Sequence, residues 1–349
     1  MKQSGRIVWL FILFSLLPAQ VFAQAYCALR DPASHIQQLY PDSNQFRSIV
    51  KTVDESARDY VAENMPPNAL HFGELGRHTL YVALRDKEIL GLVHVRSEES
   101  RWGLVEIAWS MDLGLKVQDY SFQRCRSRVR KVMEANNIKD QFRGKTFSEM
   151  KVFLAEDGRS ANREALNVPD NAAELAAVVV RNGLKTLLVT RQVWAMEIEA
   201  LQMLKNAQLA FPAAQQIQLA EQTPTSPAVT VALKSAFGNA SIGTDRAQIK
   251  LARVLDHQGN ALGVIYRAQH TISGEPLTLW WAIRTDLTIE AINADTPWPS
   301  SQVESVFKQL TGKTFNNSES CGNRAELMAL EAIITARPLL KNTEPRHSM

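Results

Sequence analysis

Five short segments of this chain recur, in the same order, in its second half. Leu90-Gly91-Leu92-Val93 follows the turn Arg85-Asp86-Lys87; Leu262-Gly263-Val264-Ile265 follows Asp256-His257-Gln258-Gly259-Asn260. The stretch 104–109 (Leu-Val-Glu-Ile-Ala-Trp) parallels 278–283 (Thr-Leu-Trp-Trp-Ala-Ile), and Leu113, Leu115 and Val117 match Leu287, Ile289 and Ala291. Gln141-Phe142-Arg143-Gly144-Lys145-Thr146-Phe147 matches Gln309-Leu310-Thr311-Gly312-Lys313-Thr314-Phe315, and Asn171-Ala172-Ala173-Glu174-Leu175 matches Asn323-Arg324-Ala325-Glu326-Leu327. One such match arises by chance, whereas five collinear ones predict a duplication, so whatever one half folds into the other must repeat.

Each half reads alike: alternating strands joined by short turns, then a helix (127–137 and 301–310), then the Gly-Lys-Thr-Phe turn, then a second helix. Asp170 or Asn171, with Glu174, forms the start signal of that last helix in the first half; Asn323 with Glu326 repeats it. Strands followed by helices predict an α+β fold: two repeated domains, each a small antiparallel sheet with packed helices. A 45% hydrophobic content is enough to fill two such cores. The first half carries additional predicted helices at 44–64 and 193–209. Residues 211–228, rich in Ala, Gln, Thr and Pro, read as a linker. The expected organisation is therefore a signal segment at 1–23, a first repeat at 24–210, the linker, a second repeat at 229–340 and a polar tail at 341–349.

The first residues have the order of a cleavable secretory signal: Lys2 and Arg6, an apolar run over 7–17, Pro18, then Val21-Phe22-Ala23 before Gln24. The run is about half the roughly twenty residues that a bilayer span needs. The apolar stretch 172–193 contains Glu174, Arg181, Asn182, Lys185 and Arg191 and reads as a soluble helix with a buried face. The expectation is a periplasmic protein without a transmembrane segment in the mature chain. Without Lys2 and Arg6 the formal charge falls from +3 to +1, which argues against nucleic acid as a partner. Arg124, Arg126, Arg128, Arg130 and Lys131 form a local basic cluster, read as a solvated face with an anion site as the alternative. Cys27, Cys125 and Cys321 permit at most one internal bridge, with Cys27–Cys125 the expected pair, and they include no Cys-x-x-Cys.

Catalytic motifs are sparse. Gly144-Lys145-Thr146 and Gly312-Lys313-Thr314 lack the leading glycine of a phosphate loop, Asp140 and Lys308 standing there, and read as turns. His71, Glu74 and His78 have the spacing of a metal trio if helical, but Gly73, Gly76 and the following Thr79-Leu80-Tyr81-Val82 favour a turn entering a strand. Glu98-Glu99-Ser100-Arg101 reads as a charged hairpin tip. A hydrolase or metal enzyme built on 71–101 is the weakest of three functional readings.

The strand 104–109, the turn Asp112-Leu113-Gly114-Leu115-Lys116-Val117, a helix and then Phe142-Arg143-Gly144-Lys145 resemble the FMN-binding domain of the periplasmic subunits of Rnf-type and sodium-pumping NADH:quinone reductase complexes. The second half resembles it more closely. Asp295-Thr296-Pro297-Trp298 stands where that family has Glu-Thr-Pro-Gly, Gly312-Lys313 stands at its Gly-Lys step, and Ser320-Cys321-Gly322-Asn323-Arg324 stands near its Ser-Gly-Ala-Thr. The first half has Tyr120-Ser121-Phe122-Gln123 and Val168-Pro169-Asp170-Asn171 at the corresponding places. The resemblance implies a flavin-related electron-transfer or accessory role in the cell envelope, beside a redox protein or membrane complex. It assigns Asp295, Thr296, Trp298, Lys313, Gly322, Asn323 and Arg324 to the cofactor. Neither half has the acceptor threonine, so the implied FMN is bound non-covalently or has been lost. The alternative is a non-enzymatic periplasmic binding or scaffold protein using a degenerate form of this fold. On the residues alone, Asn323 caps a helix, Gly322 permits close approach of a phosphate, Arg324 pairs with it and Trp298 stacks on a ring or packs a turn.

Overall fold

The computed structural model describes residues 28–66, 75–220, 227–237, 244–272, 274–315 and 321–341. The expected signal segment, Cys27, His71, Glu74 and residues 342–349 of the expected tail lie outside these. The chain divides into two compact units: residues up to Ala83 with Gly91–Val193, and Leu84–Leu90 with Trp194 onward. The boundary thus falls at 193/194 rather than at 210, and each unit holds a five-stranded antiparallel sheet with packed helices, an α+β fold.

In the first unit, α1 (Pro32–Leu39) leads into β1 (Gln45–Val53), then α2 (Glu55–Asn64) and the meander β2 (Gly76–Arg85), β3 (Glu88–Ser100), β4 (Gly103–Met111) and β5 (Val117–Arg124). Short helices follow, α3 (Arg130–Met133), α4 (Asn136–Phe142) and α5 (Phe147–Lys151), and then α6 (Ala173–Val193). The second unit repeats this order: α7 (Ala195–Ala210), β6 (Gln216–Leu219), α8 (Pro227–Phe237), β7 (Thr244–Leu255), β8 (Ala261–Ile272), β9 (Glu275–Arg284), β10 (Ile289–Ala294), α9 (Ser301–Lys308) and α10 (Arg324–Lys341). Both sheets run in sequence order, β1 to β5 and β6 to β10.

The material read as extra is therefore part of the repeat. The 44–64 segment is a strand followed by a helix, with Asp54 capping α2 through bonds from Ser56 and Ala57, and its counterpart is β6 with α8. The 211–228 segment contains β6, paired with β7 from Gln216↔Leu255 to Leu219↔Ala252. Helix α7 opens the second unit as α1 opens the first. Both end on an aromatic followed by proline: Tyr40 (φ −132°, ψ 84°) and Phe211 (φ −122°, ψ 87°) each donate their N–H to the carbonyl four residues back at 2.7 Å.

These two rings explain the recurring glycine. A Cβ on Gly91 would lie 2.1 Å from the Tyr40 hydroxyl and 2.6 Å from the Met111 carbonyl; one on Gly263 would lie 2.3 Å from the Ile283 carbonyl and 2.8 Å from the Phe211 ring. The sheet register also corrects the sequence matching. His94 pairs with Trp109 and Tyr266 with Trp281, and the left-handed residues after β4 and β9 are Leu115 (φ 60°) and Leu287 (φ 70°). Trp109 therefore corresponds to Trp281, and Leu115 to Leu287, two residues from the sequence alignment over that stretch. A two-residue slip keeps every side chain on its own face, so apolar patterning alone does not detect it.

Helix α6 is buried almost all round, Arg181 being the main exception between Leu175 and Thr190. That is deeper than the one-sided burial expected of it, because α2, α5 and the sheet all pack on it. No described helix is long and apolar enough to cross a membrane.

Candidate functional site

The Gly-Lys step is a backbone device in both units. Gly144 (φ 75°) and Gly312 (φ 82°) adopt the left-handed conformation that glycine permits. Gly144 N–H donates to the Val117 carbonyl (2.7 Å) while Val117 N–H donates to the Lys145 carbonyl (2.9 Å). Gly312 and Ile289 (2.8 Å) and Ile289 and Lys313 (2.9 Å) repeat the exchange. The step thus fastens the turn to the first residue of β5 or β10, and the Lys313 side chain is exposed. Thr146 then caps α5 in a reciprocal box with Glu149.

The other predicted residues of the second unit separate into two places. Asp295 follows β10 and accepts from Arg267 (2.9 Å) and from the Trp280 indole N–H, with the Arg267 guanidinium 5.2 Å from the Trp280 ring centre. Neighbouring strand residues face opposite ways, so this clasp lies on the sheet face opposite Trp281. Thr296 is exposed beside it. Gly322, Asn323 and Arg324 stand at the start of α10. Glu326 N–H donates to Asn323 Oδ1 (3.0 Å), and Gly322 N–H donates to Glu326 Oε2 (2.6 Å). The helix end is thus met by the chain's own cap and carboxylate. A Cβ on Gly322 would meet only the Glu326 carboxylate, at 3.6 Å.

Beside that helix end lies a cavity of about 380 Å³ walled by Ile272, Val303, Val306, Phe307, Ala325 and Met328, with Gln302 and Arg324 as its polar lining. Trp298, half-buried, packs on Phe307 with ring centres 5.3 Å apart and a 30° tilt. Of the seven predicted residues, Arg324 lines this cavity and Trp298 adjoins it; Asp295, Thr296, Lys313, Gly322 and Asn323 are not among its lining residues.

Under α10, Tyr266, Ala268 and His270 of β8 and Trp281 of β9 share the buried face. Thr244 donates its hydroxyl proton to the Glu331 carboxylate, and its oxygen lies 3.0 Å from His270 Nδ1. With the hydroxyl proton used, Thr244 accepts from His270, which places the ring proton on Nδ1. Burial first, and the Arg324 charge second, lower the His270 pKa to about 4, so the ring is neutral near pH 7. Among the described residues, His270 Nε2 and the Trp281 indole N–H have no hydrogen-bond partner. Sequence reasoning missed both residues, since each reads as an ordinary core position on an apolar strand.

In the first unit the corresponding interior is filled. Trp109 lies 5.0 Å from Tyr120, which is 5.5 Å from Phe142, ring centre to ring centre. Gly183 lets α6 close on Trp109, where a Cβ would come within 2.7 Å of the indole. The segment 98–101 is not a charged tip: Glu98 is buried and bridges Lys185 (2.9 Å) and Arg181 (3.2 Å), the turn itself being Arg101-Trp102. His78 is buried in β2 with its ring 5.8 Å from that of His94, and the other two members of the suggested metal trio lie outside the described residues. Among the described residues no three His, Cys, Asp or Glu side chains are placed to hold a metal ion. The basic cluster is locally paired in part, Arg124 with Glu106 (3.6 Å) and Arg130 with Glu134 (2.8 Å). Cys125 is half-buried and without a disulfide partner among the described residues; Cys27, its expected partner, lies outside them.

No protein-family model matches this chain, and neither a curated protein nor a solved structure matches it.

Proposed function

We propose that the protein is an exported envelope protein whose second unit holds a planar, ring-bearing small molecule without a covalent bond, with FMN as the ligand that the sequence resemblance supplies and electron transfer or an accessory role as its use. The observation that carries this reading is the cavity beside α10. Its volume lies within the roughly 300–1,000 Å³ of small-molecule sites, and its apolar walls with few polar groups have the usual character of such sites. Phe307, Val306 and Met328 offer surfaces to a flat ring system, and Arg324 offers a guanidinium to a phosphate. A bound flavin would supply one- or two-electron chemistry; the chain would supply the apolar walls and the charge at the lip.

A second reading, a binding scaffold without flavin, draws on the α10 terminus. Asn323 and Glu326 already meet N–H groups that a phosphate would otherwise use, and the Glu326 carboxylate would repel it. The two readings part on one measurement, the absorbance spectrum of protein exported to the periplasm, before and after acid precipitation and after addition of FMN. A flavin band that leaves with the supernatant is the expected result. A band retained in the pellet would mean covalent attachment, and no band after FMN addition would leave the scaffold reading.

A further inference from the structure

The two units place a tryptophan at the equivalent point of their respective sheets and treat its indole differently. In the first, Trp109 N–H donates to Asn182 Oδ1 (2.7 Å), whose amide in turn donates to the Arg96 carbonyl (3.0 Å). Counted from the matched Asn171 and Asn323, the position of Asn182 in α6 is Ile334 in α10, a buried aliphatic side chain. Among the described residues the Trp281 indole N–H therefore has no acceptor. Two residues beyond Arg96 in β3, Glu98 is neutralised by Lys185. The register puts His270 at the Glu98 position in β8, and its outer nitrogen is also unmatched. His270 and Trp281 are fully buried with ring centres 6.3 Å apart. An orphaned polar atom in such a place costs about 1–3 kcal/mol, so two neighbouring ones require a reason.

Their surroundings locate that reason. Ile272 is two residues from His270 on the same strand face, Arg324 acts electrostatically on His270, and Phe307 lies 5.8 Å from Trp281. Ile272, Arg324 and Phe307 are all walls of the cavity. The orphaned pair thus stands directly behind the walls of the cavity. Its chemistry is specific: Trp281 Nε1 only donates, and His270 Nε2, with the ring proton held on Nδ1 by Thr244, only accepts.

Resting on the small-molecule reading above, we propose that the second unit recognises the lactam edge of a planar heterocycle, His270 Nε2 accepting from the ring N–H and Trp281 Nε1 donating to the adjoining carbonyl. Neither His270 nor Trp281 lines the cavity, so Ile272 and Phe307 must part for the edge to reach the two nitrogens, while the apolar rings of the ligand fill the cavity. A flavin carries such an edge on its pyrimidine ring, as do other cyclic imides and lactams. A quinone has the carbonyl without the N–H.

The test uses the full chain with lumiflavin, which has neither ribityl chain nor phosphate, and N3-methyl-lumiflavin, in which the ring N–H is blocked. Fluorescence titration is expected to show lumiflavin binding about 10- to 100-fold more tightly than its methylated form, the loss set by one buried acceptor left unmatched. In His270→Leu that discrimination is expected to fall below about 3-fold; a merely structural His270 would weaken both ligands alike and leave the ratio unchanged. Equal binding of both ligands to the unaltered protein would overturn the edge assignment while leaving the cavity reading in place. Binding of neither would overturn both.

Discussion

Trp109 and Trp281 sit on equivalent strands under equivalent helices, yet among the described residues only the Trp109 indole is met by a side chain of its helix. In the first unit α6 carries Asn182, Lys185, Thr186 and Thr190 along one buried stripe. They meet Trp109, Glu98 and His94, while Thr186 and Thr190 return their hydroxyls to the carbonyl four residues back at 2.7 Å. In the second unit α10 buries the aliphatic Leu330, Ile333 and Ile334, with Glu331 and Thr335 as buried polar groups. The polar stripe of α6 answers the sheet beneath it; under α10, His270 Nε2 and Trp281 Nε1 are unmatched among the described residues, and a cavity lies at the start of that helix.

The sharpest way to break this contrast is to remove one partner of the buried ion pair. Lys185→Met leaves Glu98 in the interior with only Arg181, and about 3–5 kcal/mol of stability is expected to be lost in urea denaturation. Flavin binding by the second unit is expected to survive at urea concentrations well below the transition. Recovery of most of that stability in Glu98→Gln with Lys185→Met would tie the loss to the stranded charge.

Acid tests the second unit. His270 titrates near pH 6.5 in the unfolded chain and near 4 when folded, so the unfolded state takes up the extra proton between those values. The stability present above about pH 6.5 is expected to decline as pH falls and to be lower by about 3 kcal/mol once pH reaches 4. His94, also held well below its ordinary value by burial, His78 and Arg96, adds a loss of the same sign in the first unit. Denaturation midpoints at pH 7.5, 6, 5 and 4.5 follow both, and His270→Gln is expected to flatten the part due to the second unit.

Exchanging the residues that answer the two indoles sharpens the comparison further. Asn182→Ile strands the Trp109 N–H and the Arg96 carbonyl and is expected to cost about 2–3 kcal/mol. Ile334→Asn is expected to give Trp281 a partner and to weaken lumiflavin binding about 10-fold, read by the same titration. The smallest effect belongs to Gly322→Ala. Its Cβ meets only the carboxylate end of a flexible side chain, so a melting curve is expected to show a change within about 0.5 kcal/mol.

The strands of both meanders, the Gly-Lys turns and the Asn323 cap were all readable, because alternation, left-handed glycines and capping side chains act within a few residues. The start of each unit was not: Tyr40-Pro41 and Phe211-Pro212 are a matched pair in the sequence, but their meaning lies in Gly91 and Gly263, about 50 residues further along each chain. Residues 98–101 looked like a charged tip since nothing local shows that Lys185 returns to neutralise Glu98. Asp295 looked like a ligand residue because its partners, Arg267 and Trp280, come from two other strands.

The sequence by itself determined that this chain builds one α+β unit twice, since repeated local patterns of apolar spacing, turns and caps demand repeated local structures. Only the tertiary structure decided which copy gives its buried indole a partner. Whether an indole N–H or an imidazole nitrogen is satisfied depends on a residue some 50 to 75 positions away on another element, and that pairing is a matter of distance in space.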